Sequence, residues 1–159
     1  MRENRRAGVR PAVISHGANA TRTDRSRFHL EFDWTGTFDP SAWLSVPAAL
    51  RFLPSLVDGG WPKVMRRNHE LALRGRNILC NRLGIPPAAP DEMIGSMAAL
   101  PLPDGDGDLL QNKLLFDYRI EVPLIPWPHP PKRVLRISAQ LYNTPEEYER
   151  LADALAREL

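Results

Sequence analysis

The clearest periodic pattern of the chain runs from Pro62 to Leu83. Apolar residues recur there at helical spacing and most arginines of the segment fall on the opposite face, which is typical of an amphipathic helix. Gly84 is expected to cap this helix in a left-handed conformation, and Pro86-Pro87 cannot continue it. Cys80 lies on or beside the apolar face, where a cysteine is usually an inert small hydrophobe.

The pattern after Pro90 predicts a small sheet covered by helices. Asp108 is the expected N-cap of one helix, and Thr144 and Glu147 frame a capping box that starts another. With two helices before them, these elements predict the α/β class, with too few strands for a doubly wound fold. The predicted elements are strands over 93–102, 120–127 and 132–141 and helices over 109–118 and from Pro145 onward.

The first part of the chain contains one predicted corner. Pro11–Ile14 predicts a brief strand, and Phe28–Trp34 predicts an extended segment that stops at Gly36-Thr37. Asp39 then stands at an N-cap position, with Pro40 as the first helical residue. Such a strand–turn–helix corner suits an anion because helix-start N–H groups point outward. An ordinary capped turn has the same sequence pattern.

A second helical pattern follows this corner. Apolar residues continue at helical spacing from Pro40 to Leu53. Pro47 lacks the N–H that would bond to the carbonyl four residues earlier, so a kink is expected there. Pro54 and Asp58-Gly59-Gly60 are expected to end the segment.

Composition excludes several protein classes. The chain has 159 residues, of which 43% are hydrophobic and 25% charged, as in a soluble globular protein. One cysteine cannot build a disulfide framework, so a reducing, cytoplasmic setting is expected. No apolar run approaches the length of a membrane span.

Charge is distributed unevenly along the chain. Residues 1–27 carry a net charge of +5 and the remaining residues −3, although the total is only +2. A basic arm can bind nucleic acid, but no aromatic residue precedes Phe28 to provide a stacking surface. A basic subunit boundary or a solvated arm is therefore favoured over nucleic acid.

Residues for independent catalysis or metal binding are not evident. The 4 histidines are widely separated in sequence, and none pairs with another at a metal-ligand spacing. A Schiff-base lysine needs a desolvated pocket. Lys63, Lys113 and Lys132 stand in a first helical turn, a short helix and a proline turn, and none has that context.

Three stretches of the chain resemble the class V aminotransferase family of pyridoxal-phosphate enzymes, most closely its isopenicillin N epimerase-like branch. They are Pro11–Gly17, Phe32–Pro40 and Arg136–Thr144, in the family's order. The resemblance covers essentially all of this chain but less than half of a family member. It implies the small C-terminal domain of a fold-type I enzyme, with helices on a small sheet, preceded by a strand–turn–helix segment from the edge of the cofactor domain.

The resemblance also implies domain limits and residue roles. Residues 1–39 would be the tail of the large cofactor-binding domain, 40–90 linking helices and 91–159 the small domain. In the family, the threonine of the Gly-Thr corner donates to the cofactor phosphate, typically across a dimer interface, which implies cofactor binding by Gly36 and Thr37. The arginine of the final strand binds the substrate α-carboxylate, and here that is Arg136. A guanidinium suits a carboxylate bidentately, although without the resemblance Arg136 would be taken for a surface arginine.

One departure from the family bears on activity. The family's cofactor domain and Schiff-base lysine would precede Met1, so this chain is expected to be inactive alone, as a truncated, mis-started or degraded copy. The implied function is the C-terminal portion of a pyridoxal-phosphate enzyme acting on an amino acid, as a homodimer or with the missing domain. Aminotransferase, epimerase and lyase chemistry stay open. The alternative is a non-catalytic dimerisation or interaction domain derived from the family.

Overall fold

The structure is a computed structural model that describes residues 2–36 and 38–159. The chain divides into an N-terminal unit that ends at Ala48 and a C-terminal unit, Ala49–Leu159. The N-terminal unit contains two 3-10 turns, Glu3–Gly8 and His16–Asn19, and the short helices α1 (Arg27–Phe32) and α2 (Ser41–Leu44).

Helix α1 corrects the predicted extended segment Phe28–Trp34. Ser26 caps this helix by accepting a hydrogen bond from the His29 backbone N–H at 3.4 Å. One turn apart on its surface, Arg27 and Glu31 form an ion pair of 2.6 Å, and contacts of this spacing favour a helix over a strand. The brief strand predicted over Pro11–Ile14 is also wrong: these residues are irregular, and the Ile14 side chain is 92% exposed.

The predicted corner is therefore a helix–turn–helix rather than a strand–turn–helix. Helix α2 begins at Ser41, one residue later than predicted, with Pro40 preceding it. The predicted N-cap Asp39 is wrong, because Pro40, which makes no side-chain cap hydrogen bond, is the N-cap of α2. The Asp39 carboxylate, just before the helix, instead accepts hydrogen bonds from the Ser41 N–H and hydroxyl, each at 2.9 Å. These bonds lower the pKa of the Asp39 carboxyl.

The next helices follow the prediction closely. Helix α3 (Val46–Ser55) begins just after α2 ends, which confirms an interruption near Pro47. Pro54 lies inside the last turn of α3 instead of ending it. Helix α4 (Gly60–Leu83) starts two residues before the predicted Pro62, and Gly84 caps it at a φ of 67°, as predicted.

The C-terminal unit is built on a three-stranded antiparallel sheet of β1 (Met97–Leu102), β2 (Leu124–Pro126) and β3 (Arg133–Ser138), which lie in the order β1–β3–β2. The predicted order of strands and helices is confirmed, but each strand is shorter than predicted. The first predicted strand begins instead with the 3-10 turn Asp91–Met93. The helices that follow β1 and β3 are α5 (Gly107–Tyr118) and α6 (Pro145–Glu158).

Two helix N-caps of this unit were predicted, one of them correctly. Thr144 and Glu147 form the capping box of α6, in which the Thr144 N–H donates to Glu147 Oε2 at 3.1 Å. Helix α5 is capped by Asp106 rather than Asp108, because the Asp106 side chain accepts the Leu109 N–H at 3.0 Å. The alternating Asp-Gly pattern before this helix offers several possible caps, and the backbone geometry selects Asp106.

The core lies on one face of the sheet. Along β3, Leu135 and Ile137 are buried while Arg136 and Ser138 are exposed, so that the sheet is covered on one face and open on the other. Helices α4 and α6 approach each other closely, since a Cβ on Gly75 would lie 2.8 Å from the Tyr148 ring. The largest fully buried side chains are Val64, Leu79, Leu100, Leu114, Leu135 and Leu155.

Candidate functional site

A groove of 360 Å³, here called the β3 groove, lies at the second half of β3 and is lined by Arg136, Ile137 and Ser138 of that strand. Its walls come from β3, the segment 119–123 before β2, the loop after β3 and the start of α6. Strand alternation places Arg136 and Ser138 on the open face of the sheet, opposite the buried Leu135 and Ile137. The groove is therefore formed from elements of the C-terminal unit alone.

Arg136 is the predicted substrate-binding residue, and it is one of the residues that line the β3 groove. Its backbone is fixed on both sides: Arg136 stands opposite Ala99 of β1, and its N–H donates to the Pro123 carbonyl at 3.2 Å. Within residues 2–36 and 38–159, its guanidinium forms no ion pair and no side-chain hydrogen bond. A planar fork of five N–H donors on a rigid central strand can thus receive a carboxylate.

The loop after β3 is held against α4 by a chain of amide side chains. Asn68, buried on α4, donates from Nδ2 to Gln140 Oε1 at 3.0 Å, and the same oxygen accepts the Leu141 N–H at 2.8 Å. The Gln140 N–H donates in turn to Asn143 Oδ1 at 3.0 Å. This network fixes the loop that carries Tyr142 and Asn143 into the β3 groove.

Tyr148 forms part of the floor of the groove. Its ring is buried, and its hydroxyl donates to the Ser138 carbonyl at 2.7 Å. Burial raises the pKa of the Tyr148 phenol, which keeps it protonated as a donor. The group therefore braces the end of β3 next to Arg136.

Further charged groups line the β3 groove. Arg119 and Arg150 add two guanidinium groups, and Glu121 and Glu147 add two carboxylates. Glu147 is engaged in the α6 cap, where Oε2 accepts hydrogen bonds from Thr144 N–H and Asn143 Nδ2. Positive groups thus outnumber negative ones in the groove, which favours an anionic ligand.

The predicted cofactor-binding pair lies in the N-terminal unit. Gly36 is half-buried in the turn between α1 and α2, and a Cβ built on it would contact nothing within 4 Å. Thr37 lies outside the described residues. The role predicted for this pair therefore stays a prediction.

The lysines of the chain do not fit a covalent bond to pyridoxal phosphate. Lys63 is exposed in the first turn of α4. Lys113 pairs with Glu158 at 2.7 Å, and this hydrogen bond and charge raise the pKa of the Lys113 ammonium, opposite to what a nucleophilic amine needs. Lys132 is exposed and lies 3.9 Å from Asp104. None of the three is in a desolvated pocket.

Other reactive residue types are not arranged for chemistry. Cys80 is buried in the core, and burial raises the pKa of its thiol, which disfavours the reactive thiolate. Over residues 2–36 and 38–159, no group of three or more His, Cys, Asp and Glu side chains could hold a metal ion. No helix in the same ranges is long and apolar enough to cross a membrane.

Sequence reasoning placed Arg136 but assigned no role to its neighbours in the groove. Tyr142 and Asn143 belong to the stretch that resembles the family, and their position just after a strand was the signal for a site. Asn68 gave no such signal, because an amide on a helix face becomes meaningful only once its partner Gln140 is known.

Comparison with known proteins identifies the group to which these features belong. The chain is 40% identical over 136 residues to isopenicillin N epimerase of Amycolatopsis lactamdurans, a match that covers 84% of this chain and 32% of that protein. It is 34% identical over 139 residues to the probable chloroplastic L-cysteine desulfhydrase of Arabidopsis thaliana, covering 79% of this chain and 29% of that one. No family model matches the chain.

A solved structure agrees on the fold. The 8-amino-7-oxononanoate synthase of Francisella tularensis matches with a TM-score of 0.55 and 18% identity, over 82% of this chain and 35% of that one. The mixed helices and small antiparallel sheet are thus those of part of a fold-type I pyridoxal-phosphate enzyme. The chain spans 29% and 32% of the length of the two curated relatives named above. Over that span it is a homologue of isopenicillin N epimerase and L-cysteine desulfhydrase, which are class V aminotransferase-like pyridoxal-phosphate enzymes.

Proposed function

We propose that the chain supplies the part of a pyridoxal-phosphate-dependent enzyme that binds the α-carboxylate of an amino-acid substrate, with Arg136 as the binding group. The observation that supports this most is the free guanidinium of Arg136 on the open face of the central strand, inside a groove in which positive groups prevail. A bidentate guanidinium–carboxylate contact supplies both charge and orientation.

The cofactor belongs, in this proposal, to the complete enzyme. Gly36 and Thr37 would contribute donors to its phosphate, while Lys63, Lys113 and Lys132 do not suit the covalent attachment. The lysine would come from residues outside these 159, and the working unit would be a homodimer or an assembly with the cofactor domain, in the cytoplasm. The named relatives include an epimerase and a desulfhydrase, so the reaction type stays open.

The cofactor part of the proposal is tested by reductive trapping. The full chain is incubated with pyridoxal phosphate, reduced with borohydride and digested for mass spectrometry. Weak labelling scattered over Lys63, Lys113 and Lys132 is expected, because none of these amines is desolvated. Stoichiometric labelling of one lysine would contradict the proposal that the attachment site lies elsewhere.

The carboxylate part is tested by titrating the ¹⁵N-labelled chain with L-alanine and following the arginine Nε–H resonances. A saturable shift of the Arg136 resonance is expected, and Arg136→Gln should abolish binding. Arg136→Lys should restore it only in part, because an ammonium keeps the charge but not the fork. Arg66→Gln removes an exposed guanidinium of α4 and serves as the matched control. Equal binding by wild type and Arg136→Gln would refute the assignment.

A second candidate function, a non-catalytic dimerisation or interaction domain, is favoured by exposed apolar side chains on α3. Leu50 and Phe52 are 53% and 61% exposed, and large apolar patches of this kind mark interaction sites. Sedimentation velocity distinguishes the two functions when combined with the titration. Association that is lost in Phe52→Ser, together with no carboxylate binding, would support the interaction domain alone.

A further inference from the structure

Arg119 has an unusual backbone conformation. It follows the last residue of α5 with a φ of 57°, and it is the only non-glycine with a positive φ in residues 2–36 and 38–159. Glycine is the usual residue at this position of a helix end, because a side chain there is strained. Strain of this kind is concentrated at functional sites.

The left-handed turn at Arg119 ends helix α5 and is held by hydrogen bonds of the neighbouring residues. The Ile120 N–H donates to the Leu114 carbonyl at 2.9 Å and so closes the end of α5. Arg150 of α6 donates to the Tyr118 carbonyl and anchors the preceding residue. The chain then turns, and Arg119 lines the β3 groove together with Arg136.

Arg119 and Arg136 share a second property. Across residues 2–36 and 38–159, neither guanidinium forms an ion pair or a side-chain hydrogen bond. Arg150, the third arginine of the groove, is engaged by the Tyr118 carbonyl. The groove therefore presents two free guanidinium groups from two different elements, the end of α5 and the centre of β3.

We propose that the β3 groove selects amino acids with a second carboxylate on the side chain, bound by Arg119 while Arg136 binds the α-carboxylate. This proposal rests on the proposed function of Arg136 and adds a substrate class to it. Two guanidinium groups bind a dicarboxylate with one fork for each end, and a 360 Å³ groove has the volume of a small-molecule site. Glu121 is an exposed carboxylate that lines the same groove. Its negative charge disfavours ligands that carry more than two carboxylates.

The expected selectivity is modest because Arg119 is exposed. One additional solvent-exposed ion pair corresponds to a difference of about two- to five-fold in affinity. The comparison that isolates it is L-glutamate against L-glutamine, which have the same shape and differ in the distal carboxylate. L-2-Aminoadipate extends the series by one methylene and tests the span between the two arginines.

The experiment is a titration of the ¹⁵N-labelled full chain at low ionic strength, observed on the arginine Nε–H resonances. L-Glutamate or L-2-aminoadipate should bind about two- to five-fold more tightly than L-glutamine. Arg119→Gln should remove this preference by weakening L-glutamate binding more than L-glutamine binding, whereas Arg136→Gln should abolish binding of all three. Arg119→Lys should retain much of the preference, and Arg66→Gln should retain all of it. Dispersed amide spectra establish that each variant is folded.

Each other outcome has a defined meaning. A preference for L-glutamate that survives Arg119→Gln overturns the second subsite and leaves the proposed function intact. L-Glutamine binding that survives Arg136→Gln overturns the proposed function itself. Inorganic phosphate that binds as tightly as L-glutamate, with the same dependence on both arginines, overturns the dicarboxylate class in favour of a general anion site. A failure of all three amino acids to bind overturns both proposals for this chain.

Discussion

The two units of the chain are stabilised by different interactions. In the C-terminal unit, apolar side chains from α4, α5, α6 and the sheet form one buried cluster. In the described part of the N-terminal unit, the buried side chains are polar: Ser15, whose hydroxyl finds no partner there, and Glu31, which lies 2.6 Å from Arg27 and 3.6 Å from Arg10. Several apolar residues of this unit, such as Ile14 and Trp43, are exposed, and Phe28 and Phe32 are only half-buried.

This difference indicates which unit can fold by its own interactions. An apolar core stabilises by the area removed from water, while exposed ion pairs contribute little. The C-terminal unit is stabilised by an apolar core, and the N-terminal unit mainly by ion pairs. We therefore expect the N-terminal unit to open at lower cost, and its exposed apolar residues to need cover from outside the unit.

The largest effect is expected from Leu135→Ala. Leu135 is fully buried at the centre of β3, so truncation leaves a cavity and should lower the free energy of unfolding by about 2–5 kcal/mol. Ile14→Ala, in the N-terminal unit, should change it by less than about 0.5 kcal/mol, because Ile14 is 92% exposed. Urea unfolding followed by circular dichroism measures both. Similar losses for the two variants would contradict the contrast between the units.

An intermediate effect, confined to one unit, is expected from Gly17→Ala. A Cβ on Gly17 would lie 1.5 Å from the Leu30 carbonyl oxygen, and backbone cannot yield as a flexible side chain does. The N-terminal unit should lose about 1–3 kcal/mol of local stability, seen as faster amide hydrogen exchange around α1 with unchanged exchange in β3. Gly8→Ala, where a Cβ would meet nothing within 4 Å, is the control. Faster exchange throughout the chain would mean that the two units unfold together.

The smallest effect is a dependence on pH in the C-terminal unit. Hydrogen bonds from Lys113 and Tyr118 lower the pKa of the Glu158 carboxyl from its ordinary value of 4.5. A carboxyl whose pKa is lower in the folded state than in the unfolded state stabilises the fold. This stabilisation is fully present when the pH is above the unfolded-state pKa, and it is lost as the pH falls through the folded-state pKa. The stability difference between wild type and Glu158→Gln should therefore be constant near neutral pH, shrink below 4.5 and vanish at lower pH.

Urea midpoints from neutral pH down to about pH 3 measure this difference. Glu92→Gln removes an exposed carboxylate outside this cluster and should give a flat difference over the same range. A flat difference for Glu158→Gln as well would show that the cluster contributes nothing to folding.

Local signals in the sequence predicted much of the C-terminal unit. The period of α4, the left-handed Gly84 and the capping box of Thr144 and Glu147 depend on neighbours in sequence, and all three are confirmed. The strand ends were predicted too long because pairing partners decide where a strand stops. Helix α1 was missed because its pattern was interpreted from the apolar residues alone, while the Ser26 cap and the Arg27–Glu31 pair specify a helix.

The candidate site was predictable only in part. The role of Arg136 was predicted from the resemblance, since the residues around it match a known stretch, and it stays a prediction. Arg119 acquires its position from a left-handed turn at the end of α5 and from its proximity to a strand that follows later in the chain. The amide network of Asn68 joins residues that are 72 positions apart, and no local pattern indicates such a pair.

In strand β3, alternate residues contribute to the core and to the candidate binding site. Leu135 and Ile137 are buried toward the core, whereas Arg136 and Ser138 are exposed on the opposite face. In a saturation mutagenesis experiment, substitutions at 135 and 137 should therefore reduce protein abundance, and substitutions at 136 and 138 should reduce ligand binding at normal abundance. A single-residue insertion in β3 would exchange the two faces and abolish both properties at once. Substitutions at 136 and 138 can thus change ligand preference without loss of the fold, whereas a shift of the strand by one residue cannot.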